Sequence, residues 1–119
     1  MTIDAAPPYS PFQRVGDLVY VSGQIALHDG VVTGAGIGEQ TAITMGNVER
    51  VLAEAGATLS MVRKVNAILT DRADFARFNA AYALVFTAGP RPARTTIIAQ
   101  LPNAEALVEI EVIAELPAG

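Results

Sequence analysis

The sequence has no cysteine and no tryptophan, a single histidine, and eight Lys and Arg against twelve Asp and Glu. Without cysteine there is no disulfide, no thiolate nucleophile and no Cys-ligated zinc or iron–sulfur cluster. With His28 alone, a histidine metal site or a Ser/His triad has almost nothing to draw on. Carboxylates could still bind magnesium or calcium, but the chain offers no loop of ligand-spaced acids, so no metal and no cofactor is expected. A net charge of −4 and a pI near 4.8 remove the basic footprint that nucleic acid requires. A small anionic substrate stays open, because one arginine at short range outweighs a diffuse net charge. The longest apolar run, Ala80–Phe86, is seven residues, far short of the roughly 18 needed to span a bilayer. Met1–Asp4 carries neither a basic nor an apolar leader pattern, so no signal peptide, no membrane partner and a cytoplasmic location are expected.

What is present fits one domain over residues 1–119, a size that supports a core without staples. Apolar residues make up 51 % and the mean hydropathy is +0.36, rich for a chain with 17 % charged residues. Either a buried subunit interface or dense core packing accounts for the surplus.

Pro7-Pro8 ends a short N-terminal arm. Phe12–Val15 and Leu18–Ser22 are β-prone runs separated by Gly16-Asp17, a hairpin signal. Leu18–Ser22 is apolar at nearly every position, which suits a strand covered on both faces. His28–Gly38 holds four glycines and reads as loop. From Glu39 to Ala55 the period turns helical, with Ala42, Met45, Val48, Leu52 and Ala55 on one stripe and Gly56 as the stop. Gly46 inside that helix costs about 1 kcal/mol against alanine, which points to close packing there. Val62–Thr70 reads as a strand. Asp71 is an N-cap for a second helix whose Phe75, Phe78, Tyr82 and Phe86 form an apolar row, read as core, before the Gly89–Pro92 loop. Thr95–Gln100 and Leu107–Ala114 complete the strands. The order β-β-α-β-α-β-β predicts an α+β fold, one mixed sheet with both helices on one face. The other face is then bare and apolar, and oligomerisation is its natural cover.

Four segments could carry chemistry, one of them Tyr9-Ser10, placed just after the proline pair. Pro90 and Pro92 stiffen the approach to Arg94, whose planar fork matches a carboxylate bidentately, unless it is a solvated surface arginine. Arg91 reads as solvated. Glu109 and Glu111 project from one face of the last strand, about 7 Å apart. They form either an exposed polar face or a semi-buried pair of the kind that makes general acids and bases. Ser22-Gly23 either turns the chain or presents a hydroxyl and N–H groups to an oxyanion. Gly34–Gly38 has the wrong spacing for a nucleotide loop and is set aside.

Together, Pro8-Tyr9-Ser10, Val15–Ile25, the Gln40–Gly56 helix, Leu69-Thr70-Asp71 with Phe75, Asn79 and Tyr82, Pro92–Thr95 and Val108–Glu111 resemble the Rid (YjgF, reactive-intermediate deaminase) family, in order, from about Pro8 to Ala114. The resemblance implies a chorismate-mutase-like α+β fold, and a homotrimer whose sheets form a central barrel with sites in the clefts between subunits. It implies cofactor-free hydrolysis of small 2-imino or enamine acids to 2-keto acids and ammonium. Carried over by motif, Arg94 binds the substrate carboxylate, Glu109 positions the attacking water, and Tyr9, Ser22, Gly23 and Thr96 line the pocket. Serving both proton steps is simplest if the Glu109 pKa is raised. Two departures stand out. Thr96 occupies a position where members often carry cysteine, and Pro7 replaces the glycine usual before the Pro-Tyr pair. The alternatives are a pathway-specific deaminase for an aminomuconate- or aminoacrylate-type enamine, and a non-catalytic trimer that binds keto acids or client proteins. Ribonuclease activity, attached to some family names, fits poorly with the charge and the lone His28.

Overall fold

The computed structural model describes residues 7–87 and 89–118. The arm before Pro7 and the Met1–Asp4 leader reading lie outside them. Strands β1 (Phe12–Val15) and β2 (Leu18–Gln24) form the expected hairpin. Gly16 has φ +59° while Asp17 stays negative, the pattern of a turn that wants glycine at its first central position.

The segment read as loop from His28 to Gly38 is more ordered than glycine content suggests. It holds a miniature hairpin, β3 (Leu27–His28) and β4 (Val31–Val32), around Asp29 and Gly30, both at positive φ. Two consecutive left-handed residues make the tightest hairpin turn, and Asp-Gly suits it. Helix α1 (Ile37–Glu54) starts earlier than expected, and its Glu39 carboxylate accepts from the Ala35 N–H at 2.9 Å. At its other end Gly56 adopts φ +80°, its N–H bonds the Ala53 carbonyl, and the Ala57 N–H reaches the Leu52 carbonyl. That pair of bonds is a Schellman stop.

Strand β5 (Val62–Leu69) leads through α2 (Phe75–Ala83) to β6 (Ala93–Ile98), which pairs parallel to β5. A parallel neighbour needs such a crossover. The last strand, β7 (Val108–Glu115), runs antiparallel between β2 and β5, giving the order β1-β2-β7-β5-β6. Asp71 caps a short 3-10 turn, Arg72–Asp74, by accepting from the Ala73 N–H, and α2 proper follows it.

Both helices cover one sheet face. Val19 and Val21, Val65, Ala67 and Leu69, and Val108, Ile110 and Val112 pack there against Met45, Val48, Val51, Leu52, Phe78, Tyr82 and Phe86. Burying a side chain of this size contributes roughly 1.5–3 kcal/mol, so this layer holds the fold together. Three expectations need correction. Ala42 lies off the buried stripe and is exposed; Thr41 and Thr44 are buried instead. Gly46 is exposed with open space beside it, so no close packing explains it. Phe75 is 44 % exposed and does not join the core with the rest of its row.

β2 is covered on one face only. Val19 and Val21 are buried while Tyr20 between them is 43 % exposed. The bare face is also less apolar than expected. Beside Tyr20, Ile97 and Ile113 it carries cross-strand polar pairs, Lys64 to the Thr95 hydroxyl at 3.0 Å and Asn66 to Glu111 at 3.2 Å.

Candidate functional site

The six residues picked from sequence fall into two groups on opposite sides of the sheet. Arg94 stands beside Val65, which stands beside Val112; both valines are buried under the helices, so Arg94 points to the helix side. Glu109 stands beside Ile68, and Ile68 beside Ile97, on the bare face. β5 lies between the two strands. Within one chain the guanidinium and the carboxylate therefore do not meet.

The first group is built on α2 and the start of β6. Phe75, Phe78, Asn79 and Tyr82 fall at steps of three, one and three, which on a helix is one face. The Arg94 Cζ lies 5.9, 5.2 and 4.6 Å from the ring centroids of Phe75, Phe78 and Tyr82. Its Nη2 donates to the Asn79 Oδ1 at 2.8 Å. A guanidinium only donates, so the amide must turn its oxygen toward it. Cation–ring contacts contribute about 0.5–1 kcal/mol each at such sites. Arg94 is half-buried, and among the described residues it has no ion pair. The charge is thus held by rings and one amide oxygen, leaving part of the fork for an anion. Thr96, two residues on along β6 and beside the buried Ala67, shares that side; its hydroxyl is buried without a partner, as is that of Tyr82.

The second group lies where β2 leaves its ladder. Pairing with β7 runs to Val21 and resumes at Gln24, so Ser22 and Gly23 sit in an irregularity, a device that re-aims backbone next to sites. Gly23 is needed there for space, not for conformation. A Cβ on it would come 2.8 Å from the Glu109 Cδ and 3.1 Å from its Oε1. The carboxyl of Glu109 rests against the Gly23 backbone. Burial, and secondarily the charge of Glu111, push the Glu109 pKa above the usual carboxylate range. Glu111 differs: it is exposed and engaged by Asn66.

Ser22 does not present a free hydroxyl proton. Its Oγ donates to the Ser10 carbonyl at 2.6 Å, and its N–H to that of Pro11 at 3.0 Å. These bonds fasten the Tyr9–Pro11 segment beside Gly23, with Tyr9 itself 63 % exposed. Asn79 is the residue whose contribution the sequence reading missed. Its signal was its place on the helix face of the aromatic row. Among the described residues no group of three or more His, Cys, Asp or Glu gathers as a metal site.

A family model described as Endoribonuclease L-PSP matches residues 1–116. The chain belongs to this family, the Rid (YjgF) family of the resemblance. It is 42 % identical over 111 residues to the RutC family protein SSO3206 of Saccharolobus solfataricus, covering 91 % of this chain and 86 % of that one. It is 41 % identical over 110 residues to protein mmf2, mitochondrial, of Schizosaccharomyces pombe, with 90 % and 86 % covered. The crystal structure of RidA from the Antarctic bacterium Psychrobacter sp. PAMC 21119 superposes with a TM-score of 0.85 at 33 % identity, covering 94 % of this chain and 91 % of that one.

Proposed function

We propose that the protein is a hydrolase of small 2-imino and enamine acids, working as a homotrimer in which Arg94 of one copy faces Glu109 of the next. The observation that carries this reading is Arg94: half-buried, fixed by Asn79 and three rings, and without a resident carboxylate. Such a fork suits a small carboxylic acid. The raised pKa of Glu109 and its lodging against Gly23 supply the complementary proton carrier.

Arg94 holds the substrate carboxylate, and water attack at C2 becomes nearly intramolecular. As the C–O bond forms, the C=N π electrons move to nitrogen and Glu109 accepts the proton that the water releases. With the imine entering protonated, the carboxyl then returns that proton to the amine nitrogen; a hydroxyl lone pair forms the C=O bond as the C–N bond breaks with its pair leaving on nitrogen, the hydroxyl proton passes to the departing ammonia, and the 2-keto acid and ammonium depart. Thr96 backs the Arg94 side of the site with a buried, unpartnered hydroxyl, and Tyr9, anchored through Ser10, borders the carboxylate half. The bare sheet face supports the trimer, because it carries Tyr20, Ile97 and Ile113 as well as the polar pairs that could fix its register.

Ribonuclease chemistry finds no support in a chain of net charge −4 whose one histidine lies exposed on the β3–β4 hairpin beside Asp29. We propose a cytoplasmic location, although the mmf2 relative is called mitochondrial; fractionation of the source cells decides. The test is a coupled assay in which an amino-acid oxidase or dehydratase generates the imine. Arg94→Ala is expected to cost about 2–5 kcal/mol, roughly 30-fold to several thousand-fold in kcat/KM. Arg94→Lys should rescue little, since a point charge does not reproduce the fork. Full activity in either variant refutes the assignment. Keto-acid binding with no imine hydrolysis in the wild type would make the protein a binder instead.

A further inference from the structure

Two side-chain amides are buried among the described residues, Gln40 at 3 % exposed and Asn47 at 5 %. Both stand on α1, and a spacing of seven puts them on one face, two turns or about 10 Å apart along the axis. Main-chain groups hold each of them. The Asn47 Nδ2 donates to the carbonyls of Ile25 and Leu27, both at 2.9 Å, and its Oδ1 accepts from the Arg50 Nη1 at 2.7 Å. The Gln40 Nε2 donates to the Glu105 carbonyl at 3.1 Å, while its Oε1 accepts from the Leu107 N–H at 2.8 Å. A carbonyl only accepts and an N–H only donates, so neither amide can be reversed. Gly34, at φ +116°, clears the space for Gln40: a Cβ there would come 2.9 Å from the Gln40 Cγ and 3.0 Å from its N.

The segments so gripped flank the contact between Gly23 and Glu109. β2 ends at Gln24, whose pairing with Ile110 is the last that β2 and β7 share. Asn47 takes hold one residue later, at Ile25, two residues beyond Gly23. On the other strand, Leu107 lies just before β7 begins and two residues before Glu109. One helix thus fastens both chain segments whose approach sets the Glu109 carboxyl against the Gly23 backbone. The contact has no slack, since it lacks room for even one methyl group. Merely seating α1 on the core would be served by apolar side chains, because a buried amide costs free energy unless it is bonded. Directional bonds to two separate segments are what the amides add. Thr44 makes the contrast: on the same face and 0 % exposed, it has a hydroxyl without a partner and grips neither segment.

We propose that Gln40 and Asn47 are positioning residues, which fix the chain after β2 and the entry to β7 from α1 and so hold the Glu109 carboxylate in its working place. The work assigned to Glu109 rests on the deaminase reading above. Arg94 lies on the other side of the sheet and takes no part in this framework, so the grip on the substrate carboxylate is independent of it.

Hydrogen exchange on the unmodified protein gives the first test. The Leu107 N–H, although outside β7, should exchange as slowly as the β7 ladder; exchange at the rate of an exposed loop overturns the proposal even if no variant folds. Gln40→Met keeps the length of the side chain but neither bond, and Asn47→Ala releases the chain after β2. Assayed on imine hydrolysis below its melting transition, each should lose about 10-fold in kcat with KM within about twofold. Exchange should quicken over residues 107–109 in the first and 24–27 in the second, and not across β5. Thr44→Val, and Val51→Ala as a plain core truncation on the same helix, should keep kcat within about twofold, even where Val51→Ala melts lower. On a Gly23→Ala background Asn47→Ala should cost less than it does alone, since both act on one contact. Unchanged kcat in both amide variants, an equal loss in Val51→Ala, or fully multiplicative losses with Gly23→Ala overturns the proposal and leaves the deaminase reading standing. If the wild type hydrolyses no imine faster than buffer does, the deaminase reading falls, and the exchange pattern alone decides whether α1 positions the Glu109 carboxyl.

Discussion

Replacing Gly23 with alanine tests the contact on which the carboxylate half of the site depends. The new Cβ would stand 2.8 Å from the Glu109 Cδ and 3.1 Å from its Cγ and Oε1, where ordinary contact begins at 3.4 Å. The carboxyl must therefore retreat by about 0.6 Å or more, since so short a contact lies on the repulsive wall. What yields is the end of a flexible side chain, and Gly23 is not at positive φ, so the backbone tolerates alanine. An off-rotamer Glu109 costs about 0.5–1.5 kcal/mol, a small loss of stability. Catalysis should suffer more, because a displacement approaching 1 Å can cost about 100-fold. We expect kcat to fall roughly 10- to 100-fold, about 1.4–2.7 kcal/mol of barrier. KM should move little, because Arg94 grips the substrate from the other half. The coupled imine assay, run beside a thermal melt, separates the two effects. Adding Glu109→Asp withdraws the carboxyl by one methylene, so the double variant should lose less than the product of the single losses. Undiminished kcat in a folded Gly23→Ala protein would refute the idea that this carboxylate needs its present position.

Asn79→Asp keeps an acceptor for Arg94 but adds a charge that occupies the fork; KM should rise about 10- to 100-fold with no loss of melting temperature, whereas an unchanged KM would mean the guanidinium does not bind the substrate. Glu109 has a raised pKa in the fold, so the folded state holds more protons than the unfolded one as pH climbs from the ordinary carboxylate range to the folded value, and stability falls across that window. Glu109→Gln should accordingly gain melting temperature over the wild type at pH 7 relative to pH 3.5; an equal difference at both values contradicts the shift. Removing the neighbouring charge with Glu111→Gln should move the rising limb of the pH–rate profile to lower pH, although burial, the larger cause, stays. Gly46→Ala, on an exposed and open helix position, should stabilise by about 0.5–1 kcal/mol in urea denaturation; destabilisation would show that the position is covered in the assembly.

Local chemistry made much of this protein readable from its chain. The Gly16-Asp17 hairpin, the Gly56 stop and the alternation that turns Glu109 and Glu111 away from Val108, Ile110 and Val112 follow from backbone geometry and a two-residue period, which neighbours in sequence suffice to set. The resemblance, spread over six segments, added the family. Which helix positions are buried was a different matter: Ala42 and Phe75 obey the apolar period yet lie exposed, because α1 turns Thr41 and Thr44 rather than Ala42 onto the core, and Phe75 stands at the first position of α2 with its ring beside Arg94.

The site was decided later still. Nothing in the spacing of Asn79 and Arg94 states that an amide oxygen will hold the guanidinium over three rings, since the crossover from β5 to β6 brings them together. Nor does the Ser-Gly pair announce that glycine is there to admit a carboxylate 86 positions away along the chain, or that the serine proton is spent on Ser10. The sequence by itself determined the elements and the residue types available for chemistry, because those depend on torsions and periodicity. Only the tertiary structure decided that Arg94 and Glu109 lie on opposite faces of one sheet, because strand order and register are contacts between residues far apart in the chain.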